Sequence, residues 1–132
     1  MRNRLLSLLL LSLYGSMLFA QEPLDINDVE RVPLGDFTYQ WRNIYDRTPL
    51  HGKCRIILSY RSYTIAHFNK DGILDGLYEK YEDNHLVQKL TYVKGILRGK
   101  GYEYYTDGTV KKECVWNEQG KIDGLMIEYN RI

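Results

Sequence analysis

The sequence predicts an all-β protein, a meander of repeated antiparallel β-hairpins in a single sheet, and three observations support this prediction. Between residues 39 and 129, apolar and polar residues alternate with the two-residue period of β-strands. Turn pairs such as Asp107-Gly108 separate the alternating segments. A near-constant period with a repeated local signature indicates a stacked repeat array. Glycines recur at intervals of 24, 23 and 25 residues, at Gly52, Gly76, Gly99 and Gly124.

Each predicted unit consists of an outgoing strand, a hairpin turn, a return strand and a linking turn. In the unit that starts at Gly76, the outgoing strand covers residues 77–81, the turn is Asp83-Asn84 and the return strand covers residues 86–93. The next unit repeats this order with its hairpin turn at Asp107-Gly108. The unit before it departs from the pattern, because residues 55–58 form a nearly continuous apolar run, which favours burial on both faces.

Aligning the units on their glycines predicts which side chains share a face of the sheet. Side chains alternate along a strand, so residues one, three and five after each glycine lie on one side. Tyr78 and Tyr105 then fall on the outer, charged side with Lys89. The aromatic face is interpreted either as the core of the sheet or as a partly open groove for a partner. Its main residues are Tyr81, Tyr92, Tyr102, Tyr104, Trp116 and Tyr129.

The N-terminal part of the chain is predicted to be separate from the repeats. Arg2 and Arg4 precede an apolar run, and Ala20 is a small residue at the expected cleavage site, so residues 1–20 have the composition of a signal peptide. We therefore expect an exported protein, periplasmic or secreted; an uncleaved N-terminal anchor is the alternative. Residues 21–38 are predicted to be a polar tether that could dock on the sheet, and residues 39–132 to hold the repeats.

The cysteines and histidines predict no chemical site. In a meander, Cys54 and Cys114 would lie five strand steps apart, about 24 Å, which is too far for a disulfide, so we expect two free thiols. His51, His67 and His85 lack the spacing of metal ligands. No nucleophile with a paired base, carboxylate pair or phosphate-binding loop is recognisable. We therefore predict no enzyme activity, no metal and no cofactor, and the net charge of +1 gives no basis for nucleic-acid binding.

The repeated layout resembles the MORN repeat, in the variant common in bacterial proteins. The resemblance covers roughly residues 39–129 and implies an elongated, twisted antiparallel sheet with a binding or scaffolding role. Some members are described as membrane-associated or as antitoxin-like neutralisers of a partner protein. MORN proteins share no common catalytic residues, so none is transferred. The residues that carry the resemblance are the spaced glycines Gly76, Gly99 and Gly124, the tyrosines five positions after them, Tyr81, Tyr104 and Tyr129, and the turn glycine Gly108.

From these features we expect a non-catalytic protein-binding or scaffolding module in the cell envelope, using the aromatic face or an exposed sheet edge. The alternative is a carbohydrate- or lipid-headgroup-binding module that uses exposed aromatic side chains such as Tyr78, Tyr105 or Trp116. The face assignment also predicts stability. Tyr104→Ala is expected to cost about 3 kcal/mol or more, and Tyr78→Ala under about 1 kcal/mol.

Overall fold

The computed structural model describes residues 22–131, so the predicted signal peptide lies outside the described residues. In this part of the chain no helix is long and apolar enough to cross a membrane. Its one 3₁₀-helix is η1 (Ile26–Asp28). The strands, in chain order, are β1 (Leu24–Asp25), β2 (Val29–Gly35), β3 (Thr38–Asn43), β4 (Gly52–Ser59), β5 (Ser62–Phe68), β6 (Leu74–Glu82), β7 (His85–Val93), β8 (Ile96–Leu97), β9 (Gly99–Tyr104), β10 (Val110–Trp116) and β11 (Ile127–Glu128).

The main sheet has nine strands and confirms the predicted all-β meander. Strands β4, β5, β6, β7, β9 and β10 lie side by side in chain order, and every neighbouring pair is antiparallel. The short strand β8 pairs with β7 beyond the end of β9, and β11 lies along the outer edge of β10. Cys54 on β4 and Cys114 on β10 are therefore five strand steps apart; both side chains are buried, and neither forms a disulfide in the described part of the chain.

The N-terminal segment adds a second layer, so the prediction of a single sheet is incomplete. β1 runs parallel to β4, with Leu24 opposite Ile56. β2 and β3 form a separate two-stranded antiparallel hairpin, so the meander itself begins at β4. The Trp41 N–H on β3 donates to the Gly72 carbonyl at 2.7 Å, and the Trp41 ring packs 5.6 Å from that of Phe68. The sequence predicted a tether able to dock on the sheet, but it assigned residues 39–43 to the repeats, whereas β3 pairs with β2 in the second layer.

The core lies between this second layer and the first strands of the main sheet. From the N-terminal side it is covered by Leu24, Ile26, Val29 and Trp41. Burial of apolar surface contributes about 25 cal/mol per Å², so the packing of these residues stabilises the contact between the two layers. The buried residues of the cluster are Leu50, Cys54, Ile56, Ala66, Phe68 and Leu74.

Glycines set the repeat in two ways. The four repeat glycines have φ between +71° and +125°, a region that residues with a side chain rarely adopt. Each unit therefore begins at a position where the backbone conformation favours glycine. A second set lies four residues earlier, in the linking turns. A Cβ atom on Gly95 would lie 3.0 Å from Ile73 Cγ2, and one on Gly120 would collide with Ile96 Cγ2. Ile73 and Ile96 are equivalent positions of successive linkers, so Gly95 and Gly120 each pack on the isoleucine of the linker before them.

Candidate interaction surface

The strand register divides the predicted aromatic face between the two sides of the main sheet. Tyr92 pairs with Gly76 and Leu90 pairs with Tyr78, so Tyr78 and Tyr92 point to the same side, and their rings meet edge to face at 5.9 Å. Both pack against the core, and we call this side the core face. Tyr81 points to the opposite side, the open face. The sequence-based assignment is therefore wrong for Tyr92, and also for Tyr78, which was expected on the outer side.

Trp116 shows the same division one hairpin later. It pairs with Gly99, and its indole ring covers Gly101, where a Cβ atom would collide with it. Trp116 therefore lies on the core face, whereas Tyr102 and Tyr104 point to the open face. The reason for the error is the register between strands. Alternation shows which residues of one strand share a side, but the turns decide which residues of the next strand join them.

The open face carries a row of tyrosines that crosses β5, β6 and β9. Tyr63 is paired with Tyr81, and their rings stack at 4.9 Å with an interplanar angle of 11°. The rings of Tyr102 and Tyr104 stack at 5.9 Å and 27°. All four side chains are half-buried, and the second layer lies on the other side of the sheet. We call this set the tyrosine row: Tyr63, Tyr81, Tyr102 and Tyr104.

Tyr63 is the member of the tyrosine row that sequence analysis missed. The first hairpin has no glycine in its turn, so its register could not be set from the turn type. A usable signal was present in β5, where Thr64 and Ala66 were assigned to the apolar side. Alternation then places Tyr63 on the opposite side, and the structure confirms this, because Thr64 and Ala66 are almost fully buried.

Charged groups border the tyrosine row. The Arg55 guanidinium lies 4.1 Å from the centroid of the Tyr63 ring, a cation–π contact. The Tyr81 hydroxyl donates a long hydrogen bond of 3.4 Å to Glu79 Oε2. Burial and the Glu79 carboxylate raise the pKa of Tyr81, and burial raises the pKa of Tyr104. Both hydroxyls therefore remain protonated at neutral pH and can donate hydrogen bonds to a partner.

The two tyrosines near the C-terminal end of the described chain lie apart from the tyrosine row. Tyr129 follows β11, is exposed, and makes none of the ring contacts found within residues 22–131. Its carbonyl accepts a hydrogen bond of 2.8 Å from the Tyr105 hydroxyl. Arg131 lies 5.2 Å from the centroid of the Tyr105 ring and pairs with Asp107 at 2.6 Å. These contacts hold the terminal segment on the last hairpin turn.

The core face has a concave site that sequence analysis did not predict. A groove of 460 Å³ lies between the β2–β3 hairpin and the main sheet. We call it the hairpin groove. Leu74, Tyr78 and Tyr92 are contributed by the main sheet, and Tyr39 and Trp41 by the hairpin. Of the predicted site residues, the groove contains Tyr92 alone; Trp116 lies in a neighbouring apolar cleft of 320 Å³ with Leu90 and Met126.

The residues that could carry chemistry do not converge. Within residues 22–131 no group of three His, Cys, Asp or Glu side chains is placed to hold a metal ion. His51 precedes β4, His67 lies on β5 and His85 opens β7. Burial raises the pKa of the Cys54 thiol, which reduces the fraction of reactive thiolate at neutral pH.

The comparison with known proteins does not assign the chain to a family. No family model matches the chain, and no curated protein matches it. Among solved structures, the crystal structure of TarM aligns with 72% of this chain at 14% identity and a TM-score of 0.40. A mutant of S. aureus TarM in complex with fondaparinux, alpha-GlcNAc-glycerol and UDP aligns with 72% of it at 13% identity and a TM-score of 0.28. The matched part is 18% and 16% of those chains, respectively.

Proposed function

We propose that this protein is a non-catalytic, exported MORN-like repeat protein that binds another protein through the tyrosine row and acts as an interaction or scaffolding module in the cell envelope. The observation that supports this proposal is the position of the row. Two stacked pairs of tyrosines, one across β5 and β6 and one on β9, lie on the face of the sheet opposite to the core, with β7 between the pairs. The fold gains its core from the other face, so these aromatic side chains are not needed to fill it.

The composition of the tyrosine row favours a protein partner. Tyrosine offers a large contact area with few rotatable bonds and one polar atom, and it is enriched in the buried centre of protein interfaces. Stacking of Tyr63 on Tyr81 restricts both rings before any partner binds, which reduces the entropy lost on association. Arg55 and Glu79 supply one charge of each sign beside the rings, which suits a mixed polar rim.

Export is the part of the proposal that depends on residues 1–20. Their charged start, apolar run and small residue at position 20 are typical of a signal peptide. A cleaved leader would release residues 21–132 into the periplasm or the medium. The partner is then expected among envelope or secreted proteins.

The test is capture of a partner by purified residues 21–132 from an envelope extract. The test variant is the double substitution Tyr81→Thr/Tyr104→Thr, because threonine keeps β-propensity while removing both rings. The matched control is Tyr45→Thr, since Tyr45 is 77% exposed and lies in the loop after β3, away from the row. We expect one protein to be retained by the unchanged chain and by the control, and lost by the double variant.

Two results would contradict the proposal. If the double variant, shown to be folded by circular dichroism, retains the same protein, the tyrosine row is not the binding surface. If neither the unchanged chain nor the control retains any protein from envelope and secreted fractions, the protein-binding function is wrong.

A further inference from the structure

The hairpin groove differs from the tyrosine row in shape and in chemistry. It is concave, and its volume of 460 Å³ lies within the range of roughly 300 to 1,000 Å³ that is usual for sites of small ligands. Rings from both layers line it. Tyr39 and Trp41 come from the hairpin, and Tyr78 and Tyr92 from the main sheet, where they meet edge to face.

Polar groups without a protein partner accompany these rings. The hydroxyls of Tyr39, Tyr78 and Tyr92 make none of the hydrogen bonds found within residues 22–131. The Arg31 guanidinium lies 5.6 Å and 5.4 Å from the ring centroids of Tyr39 and Trp41, and it forms no ion pair in the described part of the chain. The groove thus presents aromatic rings together with hydrogen-bond donors that are available to a ligand.

From this combination we propose that the hairpin groove binds short neutral oligosaccharides. A pyranose ring has an apolar face of C–H groups, which packs on an aromatic ring, and hydroxyls at its edge, which need donors and acceptors. Arg31 and Asp36 are the charged residues among the described groove-lining side chains, and their formal charges cancel. An anionic lipid headgroup would need a basic cluster.

On its main-sheet wall the groove offers no strand edge to which an extended peptide could pair. Extended peptides bind by adding a strand to an open sheet edge, where main-chain hydrogen bonds supply affinity. The strands that provide Tyr78 and Tyr92 are β6 and β7. Strand β6 is paired with β5 and β7, and β7 is paired with β6, β8 and β9, so neither offers an open edge.

The tip of the β2–β3 hairpin gives the groove a further aromatic surface. Asp36 and Phe37 occupy the turn with φ of +49° and +63°, a region that is unfavourable for a bulky residue such as phenylalanine. The Phe37 ring is 95% exposed, although it contributes to the lining of the groove. The positive φ of Phe37 costs stability and its ring does not serve the core, so the proposal assigns this ring to contact with the bound sugar.

The two tryptophans of the chain allow a direct test, because Trp41 lines the hairpin groove and Trp116 does not. We would record NMR spectra of ¹⁵N-labelled protein with cellotetraose, maltotetraose and chitotetraose, each at about 10 mM, which fills most of a site with a dissociation constant near 1 mM. We expect at least one sugar to shift the Trp41 indole signal and the Gly95 and Gly120 amides, with Trp116 unchanged.

Variants test whether the sugar that shifts the Trp41 signal is bound in the hairpin groove. Tyr39→Ala removes one ring of the hairpin wall and is expected to weaken binding about tenfold. Tyr92→Phe keeps the ring and removes the hydroxyl, so it should weaken binding less while leaving the core intact. Tyr81→Thr/Tyr104→Thr alters the opposite face and should leave sugar binding unchanged, which separates this site from the tyrosine row.

Two outcomes would overturn the proposal: none of the three sugars shifts Trp41, or Tyr39→Ala binds the sugar as tightly as the unchanged chain. In the first case, a shift of the Trp41 signal by phosphatidylglycerol vesicles would assign the groove to a lipid headgroup. None of these outcomes bears on capture of a protein by the tyrosine row, because that test uses the other face.

Discussion

The two halves of the main sheet carry the same repeat but bury their core face differently. In β4 to β6 the second layer covers the sheet, and small or aliphatic side chains such as Cys54, Ile56 and Ala66 are sufficient to fill the space. In β9 and β10 no described segment forms such a layer, and the Trp116 indole lies over Gly101 instead. The repeat therefore determines the backbone of each unit, whereas the groups that cover its apolar face differ from one unit to another.

The largest expected effect is loss of packing under the second layer. Ile56→Ala should lower the free energy of unfolding by about 3 kcal/mol, because Ile56 is 1% exposed and its removal leaves a cavity. Ile57→Ala, the next residue on the open face, should cost about 1 kcal/mol. Urea denaturation measures both values. Equal losses would mean that β4 is buried on both sides, as its apolar run suggested.

The second prediction compares the two faces within the repeats and reverses the sequence-based expectation. Tyr78→Ala should cost about 3 kcal/mol, since Tyr78 packs on the core and on Tyr92. Tyr104→Ala should cost about 1 kcal/mol, because its ring stacks on Tyr102 on the open face and does not pack against the buried core cluster. Thermal and urea unfolding of both variants provide the measurement. A greater loss for Tyr104→Ala would restore the original face assignment.

The third prediction concerns β9 and β10, the strands that no second layer covers in the described part of the chain. Gly101→Ala should cost about 1 to 3 kcal/mol, because the added methyl group displaces the Trp116 ring. The backbone of Gly101 is not in the positive-φ region, so strain of the main chain does not contribute. Combining it with Trp116→Leu should recover part of the loss, and a double-mutant cycle measures the coupling. Additive effects would show that Trp116 does not rest on Gly101.

The smallest effect is expected at the last hairpin turn, where pH should act on Asp107. Hydrogen bonds from Thr109 and from Arg131 lower the pKa of Asp107 from 3.8 to about 2. Because the folded pKa lies below the unfolded one, the stabilising contribution is complete above about pH 4 and is lost as the pH falls toward 2.

The amide signals of Tyr129 and Arg131 report on this turn. They should move as the pH falls through about 2, the pKa of Asp107 in the folded protein, in the unchanged chain. Asp107→Asn cannot titrate, so these signals should show no such transition in that variant. A transition of equal size in the Asp107→Asn protein would assign the change to another carboxyl group.

The sequence was sufficient to predict the backbone of the repeats and insufficient to predict their faces. The glycine period and turn pairs predicted the meander and the separation of Cys54 from Cys114, because these depend on local conformation. The pairing of Tyr92 with Gly76 depends on turn length and on a register shift between Lys80 and Tyr81, which leave no sequence signal of their own.

The sites depended still more on tertiary contacts. Tyr63 could have been found from alternation along β5, but the hairpin groove could not. It exists because β2 and β3 dock on the main sheet through contacts such as that of Trp41 with Phe68. Those contacts join residues far apart in the chain, and no local pattern reports them.

The packing of two linker glycines on the isoleucine of the preceding linker, Gly95 on Ile73 and Gly120 on Ile96, makes this part of the array modular. Every such contact joins one unit to its immediate neighbour, so the energy of the array is close to a sum over adjacent pairs. Duplicating a segment of 23 residues, the interval from Gly76 to Gly99, would reproduce both halves of the contact and extend the sheet by one hairpin. Changes in length by whole units are therefore open to evolution and to design, whereas insertion of a partial unit is not.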